Sequence, residues 1–180
     1  MLIRKKIIMK SKFTFLGLMF AFIGFSVIAC AQDSKRPSPP AKAEGKFGAV
    51  TVVVNYSQPA VKGREVWGGL VPYEKVWRTG ANEATTIEVS GDVMIEGKVL
   101  KSGTYSLFTI PTEEAWTVIF NEDSEQWGAY KYDEGKDVLR VKVKPTKAET
   151  KTERLTFKMD DSSIMMLWDN LVLPIKVSAK

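Results

Sequence analysis

Two stretches of this chain gather side chains able to grip a small molecule. Residues 57–84, SQPAVKGREVWGGLVPYEKVWRTGANEA, hold Trp67 and Trp77, Arg64 and Arg78, and Asn82 and Glu83. Residues 122–136, EDSEQWGAYKYDEGK, hold Trp127, Tyr130 and Tyr132 beside Glu125 and Asp133. Aromatic faces beside amide, carboxylate and guanidinium groups suit sugar recognition, because the apolar face of a sugar ring stacks while its hydroxyls hydrogen-bond. Arg64, Trp67, Trp77, Arg78, Asn82, Glu83, Trp127 and Tyr130 are therefore the candidate ligand-binding residues. The two stretches make one rim if they project from the same end of the fold. The structural alternative is that Trp67 and Trp77 cap an open end, Arg78 pairs with Glu83, and residues 122–136 are a solvated hairpin. Trp116 and Trp168 sit within alternating strands and belong to the core.

Catalytic chemistry has few parts to work with. There is no histidine, and Cys30 is the only cysteine. Ser-His-Asp and Cys-His arrangements and histidine or thiolate metal sites are thereby excluded. A carboxylate pair drawn from Glu83, Glu125 and Asp133 has the chemistry for glycoside hydrolysis, but any domain with 21 acidic residues offers accidental pairs. Calcium at Asp123, Glu125 and Asp133 would lack the spacing of an EF-hand loop. No catalytic residue, metal or cofactor is expected.

The elements that must position the candidate residues read as strands. From Phe47 onward the apolar period is two rather than 3.6. Leu139, Val141 and Val143 alternate with Arg140, Lys142 and Lys144, and Leu155, Phe157 and Met159 alternate with Thr156 and Lys158. Trp116, Val118 and Phe120 alternate with Thr117 and Ile119, the pattern of a strand covered on both faces. Turn signals at Ser90-Gly91-Asp92, Glu96-Gly97-Lys98, Ser102-Gly103 and Asn121-Glu122-Asp123 separate the runs. About nine strands are expected, at 49–56, 85–90, 92–96, 98–101, 103–110, 115–121, 137–144, 153–160 and 163–177, the last broken near Asp169-Asn170 and carrying Pro174 at an edge or a strand start. That spacing predicts an all-β, antiparallel β-sandwich, with a jelly roll among its forms.

The first thirty residues look like a secretory signal. Arg4, Lys5, Lys6, Lys10 and Lys12 precede the 17 uncharged residues Phe13 to Ala29. A permanent anchor helix is the alternative, at the short limit of span length. Val27-Ile28-Ala29-Cys30 resembles a lipobox, which makes Cys30 the lipidation site; ordinary cleavage after Ala31 would instead leave a secreted protein. The whole chain carries 26 Lys and Arg against 21 Asp and Glu, a net +5; without the leader, 21 remain of each. The basic balance belongs to the leader, so no nucleic-acid partner is expected. Residues 31–46, AQDSKRPSPPAKAEGK, lack large apolar side chains and are rich in proline, which predicts a flexible tether. Residues 47–180 then form one domain, long enough for a core that needs no disulfide.

Several motifs resemble one known family: Tyr56-Ser57-Gln58-Pro59, Trp67-Gly68-Gly69-Leu70-Val71-Pro72-Tyr73, Trp77-Arg78-Thr79-Gly80-Ala81-Asn82-Glu83-Ala84-Thr85, Gly103-Thr104-Tyr105-Ser106-Leu107-Phe108, Trp116-Thr117-Val118-Ile119-Phe120-Asn121 and Gln126-Trp127-Gly128. That family is the domain of unknown function 2911. The resemblance implies an exported or lipid-anchored protein of Bacteroidetes-type bacteria and brings no activity or catalytic residue with it. The expected role is a non-catalytic ligand-binding or scaffold module of the cell envelope, in the periplasm or at the outer membrane. Its expected partners are a membrane, through the lipid, and a glycan or an envelope protein. The alternatives are a structural part of an envelope assembly and a carboxylate-dependent glycan hydrolase.

Overall fold

The alternation read from the sequence is what the computed structural model, which describes residues 36–180, builds into two antiparallel sheets. Ten strands are present among the described residues: β1 (Pro40–Phe47), β2 (Val50–Ser57), β3 (Thr86–Val89), β4 (Val93–Ile95), β5 (Lys98–Leu100), β6 (Gly103–Ile110), β7 (Trp116–Asn121), β8 (Asp137–Val143), β9 (Thr146–Met159) and β10 (Ser163–Ala179). One sheet has the order β1-β2-β3-β6-β7-β8 and the other β5-β4-β10-β9. The leader and Cys30 lie outside the described residues. Among the described residues no helix is long and apolar enough to cross a membrane.

The inner faces meet in a core built from every second residue. Val52 and Val54 of β2, Ile87 and Val89 of β3, Trp116, Val118 and Phe120 of β7, Leu155 and Phe157 of β9, and Ile164, Met166 and Trp168 of β10 are all buried. The outer face of the six-stranded sheet carries a second, smaller cluster of Phe108, Ile119 and Ala84, against which Val76, Ala129 and Tyr132 pack. Strand β7 is thus covered on both faces, Val118 and Phe120 on one and Ile119 on the other.

The tether boundary needs correcting. Residues 40–46 are not tether but most of β1, paired in full with β2 from Pro40–Ser57 to Phe47–Val50. Ala41, Ala43 and Gly45 lie opposite the core-facing Tyr56, Val54 and Val52. Gly45 has no room for a side chain: a Cβ there would lie 2.9 Å from both Cβ and Sδ of Met159. Strand β9 also begins earlier than expected, at Thr146.

Two further details follow from backbone chemistry. The expected break in the last strand is a pair of register shifts around Asp169, whose φ is 53°. Pro174 is at neither a strand start nor an edge. β10 pairs with β9 as far as Val172 and with β4 from Val177, so the residue without an N–H falls where the ladder changes partner.

Candidate ligand-binding site

Both long connections start from one row of the six-stranded sheet, since Thr86 pairs with Ser106 and Ser106 with Asn121, but β3 and β7 run parallel, so the loop before β3 and the loop after β7 leave that row in opposite directions. The β2–β3 loop, residues 58–85, is folded tightly on itself. Trp77 exchanges both backbone hydrogen bonds with Thr109, at 2.7 and 2.9 Å. Its indole Nε1 donates to the Gly80 carbonyl at 3.1 Å. Thr85 Oγ1 donates to the Thr79 carbonyl at 2.8 Å, and the Thr79 and Thr109 hydroxyls lie 3.2 Å apart. Gly80 has no room for a side chain, because a Cβ there would come within 2.8 Å of Thr85 Oγ1. The distinctive run from Trp77 to Thr85 is therefore largely a folding device.

The same fold withdraws Trp67 and Trp77 as stacking platforms. Trp67 is buried, with its ring 4.8 Å from Trp116, 5.6 Å from Trp168 and 5.9 Å from Trp77. Trp77 stacks on Trp168 at 5.7 Å. The four tryptophans close one end of the sandwich and leave no ring face for a ligand. Arg64 turns back onto its own loop, donating to the carbonyls of Ala60 and Val61. The expected Arg78–Glu83 ion pair does not form; Glu83 pairs with Arg36 at 2.9 Å.

The β7–β8 loop, residues 122–136, is held from below. Buried Asn121 donates to Asp137 Oδ1 at 2.8 Å and to the Asp133 carbonyl at 2.9 Å, and its own Oδ1 accepts from the Asp123 amide. Gln126 donates to the Asp123 carbonyl at 2.8 Å. Tyr132 packs edge-on against Phe108 and donates to Asp137 Oδ2 at 2.6 Å. Burial, that hydrogen bond and the Asp137 charge push the Tyr132 phenol well above its usual range, with Arg140 opposing. Asp133 caps a short 3-10 turn at Glu134–Lys136 by accepting from the Gly135 amide.

The two loops meet. Ala84 N–H donates to the Gln126 carbonyl at 2.9 Å and Gly128 N–H to the Asn82 carbonyl at 3.1 Å, a two-bond bridge between Glu83 and Trp127. Arg78, Asn82, Glu83, Trp127 and Tyr130 are brought together; Arg64, Trp67 and Trp77 are not. Trp127 is 58 % exposed and Tyr130 86 %, an unusual exposure for large rings in so ordered a loop. Gly128 makes this geometry, with φ at 71° and a would-be Cβ 2.9 Å from the Tyr130 ring.

Sequence reasoning missed the third participant, the segment just before β1. Asn82 Nδ2 donates to the Ser38 carbonyl at 3.1 Å, and Arg36 donates to both Glu83 oxygens at 2.9 and 3.2 Å. Arg154 donates to the Pro37 carbonyl at 3.3 Å and to the Gln58 carbonyl at 3.1 Å. Gln58 N–H donates to the Pro39 carbonyl at 2.9 Å. Burial would raise the Glu83 pKa, but its own backbone N–H and Arg36 outweigh that and hold the carboxyl below its usual range. Beside Glu83 a groove of about 560 Å³ runs over β1 and β2, lined by Lys42, Asn55, Ser57 and Thr86 among others. Of the carboxylates weighed for calcium, Asp123 pairs with Lys136 and Asp133 serves the 3-10 turn; among the described residues no three metal-binding side chains gather.

A family model described as "Protein of unknown function (DUF2911)" matches residues 38–177. The chain belongs to the DUF2911 family. The match begins within the segment that straps Asn82 and takes in both loops, with Arg36 and Pro37 just before it. No curated protein and no solved structure matches the chain.

Proposed function

We propose that this DUF2911 protein is a non-catalytic ligand-binding module of the bacterial cell envelope, exported by its leader and held at a membrane by lipid on Cys30. The observation that carries the binding role is the pair of exposed rings, Trp127 and Tyr130, on a loop fixed by the Asn121 network and the bridge to Glu83. Exposed aromatic surface costs solvation, and a rigid loop loses little entropy when a ligand stacks on it. A glycan of the envelope is the ligand class that such faces suit, with backbone and side-chain polar groups beside them.

Hydrolysis draws less support. A general acid needs a raised pKa, and Glu83 is shifted the other way by Arg36. Binding of the full chain to a glycan and peptidoglycan-fragment array tests the role. Trp127→Ala and Tyr130→Ala should each abolish the strongest signal, and retained binding in both would reject this surface. Intact mass should show acylated Cys30, and Cys30→Ser should free the protein from membranes. A soluble wild-type protein beginning at Gln32 would leave the export and remove the anchor.

A further inference from the structure

Among the described residues, the Arg78 side chain has no hydrogen-bond or ion-pair partner. Its neighbours in sequence are immobile: Trp77 is bound on both sides to Thr109, and Thr79 is buried with φ at 52°. Its own carbonyl accepts from the Thr85 amide at 3.2 Å. The side chain is half-buried, and its Nε is removed from water with no acceptor. Four acids of the two loops and their flanks pair with other cations. Glu83 pairs with Arg36, Asp123 with Lys136, and Asp137 and Glu134 with Arg140.

The guanidinium is also aimed at the aromatic surface. Its Nη1 lies 3.6 Å from the point a Cβ on Gly128 would occupy, and the Tyr130 ring comes within 2.9 Å of that same point. One glycine is thus flanked by a ring edge and an unpaired cation, with exposed Trp127 as its chain neighbour. A partly desolvated guanidinium favours an anion that accepts two parallel N–H bonds, and a carboxylate has that shape. A ligand that stacks and carries a carboxylate on the stacking ring satisfies both groups together.

We propose that Arg78 makes this site selective for an acidic sugar, a hexuronate whose ring stacks on Tyr130 or Trp127 while its carboxylate takes the Arg78 guanidinium. This rests on the aromatic surface being the ligand site and adds the class of ligand. It assigns Arg78 a specificity role, separate from the folding role of the Trp77–Thr85 run that contains it.

The test uses the full chain and oligomers of galacturonate, glucuronate and mannuronate, each against its own methyl ester, which keeps the ring and removes the charge. At least one acid should bind about tenfold or more tightly than its ester. Arg78→Gln should lose that difference, the acid falling to the level of its ester, and Arg78→Lys should recover only part, since ammonium is a point charge. A second reading needs no variant. Raising NaCl from about 0.05 to about 0.5 M should weaken the wild-type acid complex and spare the ester. Acid and ester binding alike, or tighter binding to sulfated than to carboxylated oligomers, overturns the inference. The aromatic site survives that result if Trp127→Ala still abolishes binding. No binding to any acidic or neutral glycan overturns both.

Discussion

Two loops start from one row of the same sheet, and each carries tryptophan, yet they treat it in opposite ways. The β2–β3 loop drives Trp67 and Trp77 into the sandwich against Trp116 and Trp168. The β7–β8 loop leaves Trp127 in solvent. The difference lies in what is beneath. The first loop faces an end of the core, which it fills with Val61, Val66 and Val71 as well as with the two rings. The second lies over Phe108 and Ile119, which Ala84, Val76, Ala129 and Tyr132 already cover. A tryptophan in a loop is a packing element where there is a hole and a contact element where there is none.

The largest expected effect attacks the buried side of that comparison. Trp67→Ala should lower unfolding free energy in urea by about 3–5 kcal/mol, and Trp127→Ala by no more than about 0.5 kcal/mol. Equal losses would erase the distinction between the loops. Next come the glycines that give each loop its shape. Gly128→Ala, at φ 71° and against Tyr130, should cost about 1–3 kcal/mol and reposition the Tyr130 ring, visible as a changed tyrosine fluorescence or ring NMR shift.

Tyr132 supplies a pH signature for the support beneath the exposed loop. Its pKa is raised on folding by burial and by Asp137, so the unfolded chain releases the proton first. Stability should hold below the ordinary tyrosine pKa of about 10 and fall as pH rises from there toward the folded value. Tyr132→Phe should flatten that fall and cost about 1 kcal/mol at neutral pH. The smallest effect belongs to the strap. Arg36→Ala removes an exposed ion pair and should change stability by less than about 1 kcal/mol. It should nevertheless move the Glu83 carboxyl up toward its ordinary pKa, measurable by NMR titration.

Much of the sheet was legible because one face of each strand is apolar. Leu139-Val141-Val143 and Leu155-Phe157-Met159 are a single pattern that only a half-buried strand satisfies. β1 has the same alternation, Lys42, Glu44 and Lys46 against Ala41, Ala43 and Gly45, but its inward residues are small, with Met159 filling the space over Gly45. A strand whose core side is alanine and glycine looks like a linker. The first half of β9 was hidden for the opposite reason, since Lys147, Glu149 and Lys151 are exposed and hydrophobic period carries no signal there. For the site, residue type alone could not separate Trp77 from Trp127, because only the surface beneath decides. The exposed pair was nonetheless among the residues singled out, and so was Arg78. Arg36 and Asn121 were not, since their partners are 47 and 16 residues away.

The strap formed by Arg36, Pro37, Ser38 and Pro39 has a mechanical consequence. A pull arriving from residue 35 does not reach the β1–β2 ladder directly. It must first open the contacts to Glu83, Asn82, Arg154 and Gln58. Two of those four residues also anchor the bridge that carries Trp127. Tension along the chain and the shape of the aromatic surface therefore share a joint, and slack or strain at the N-terminal side is transmitted to the place where a ligand would sit.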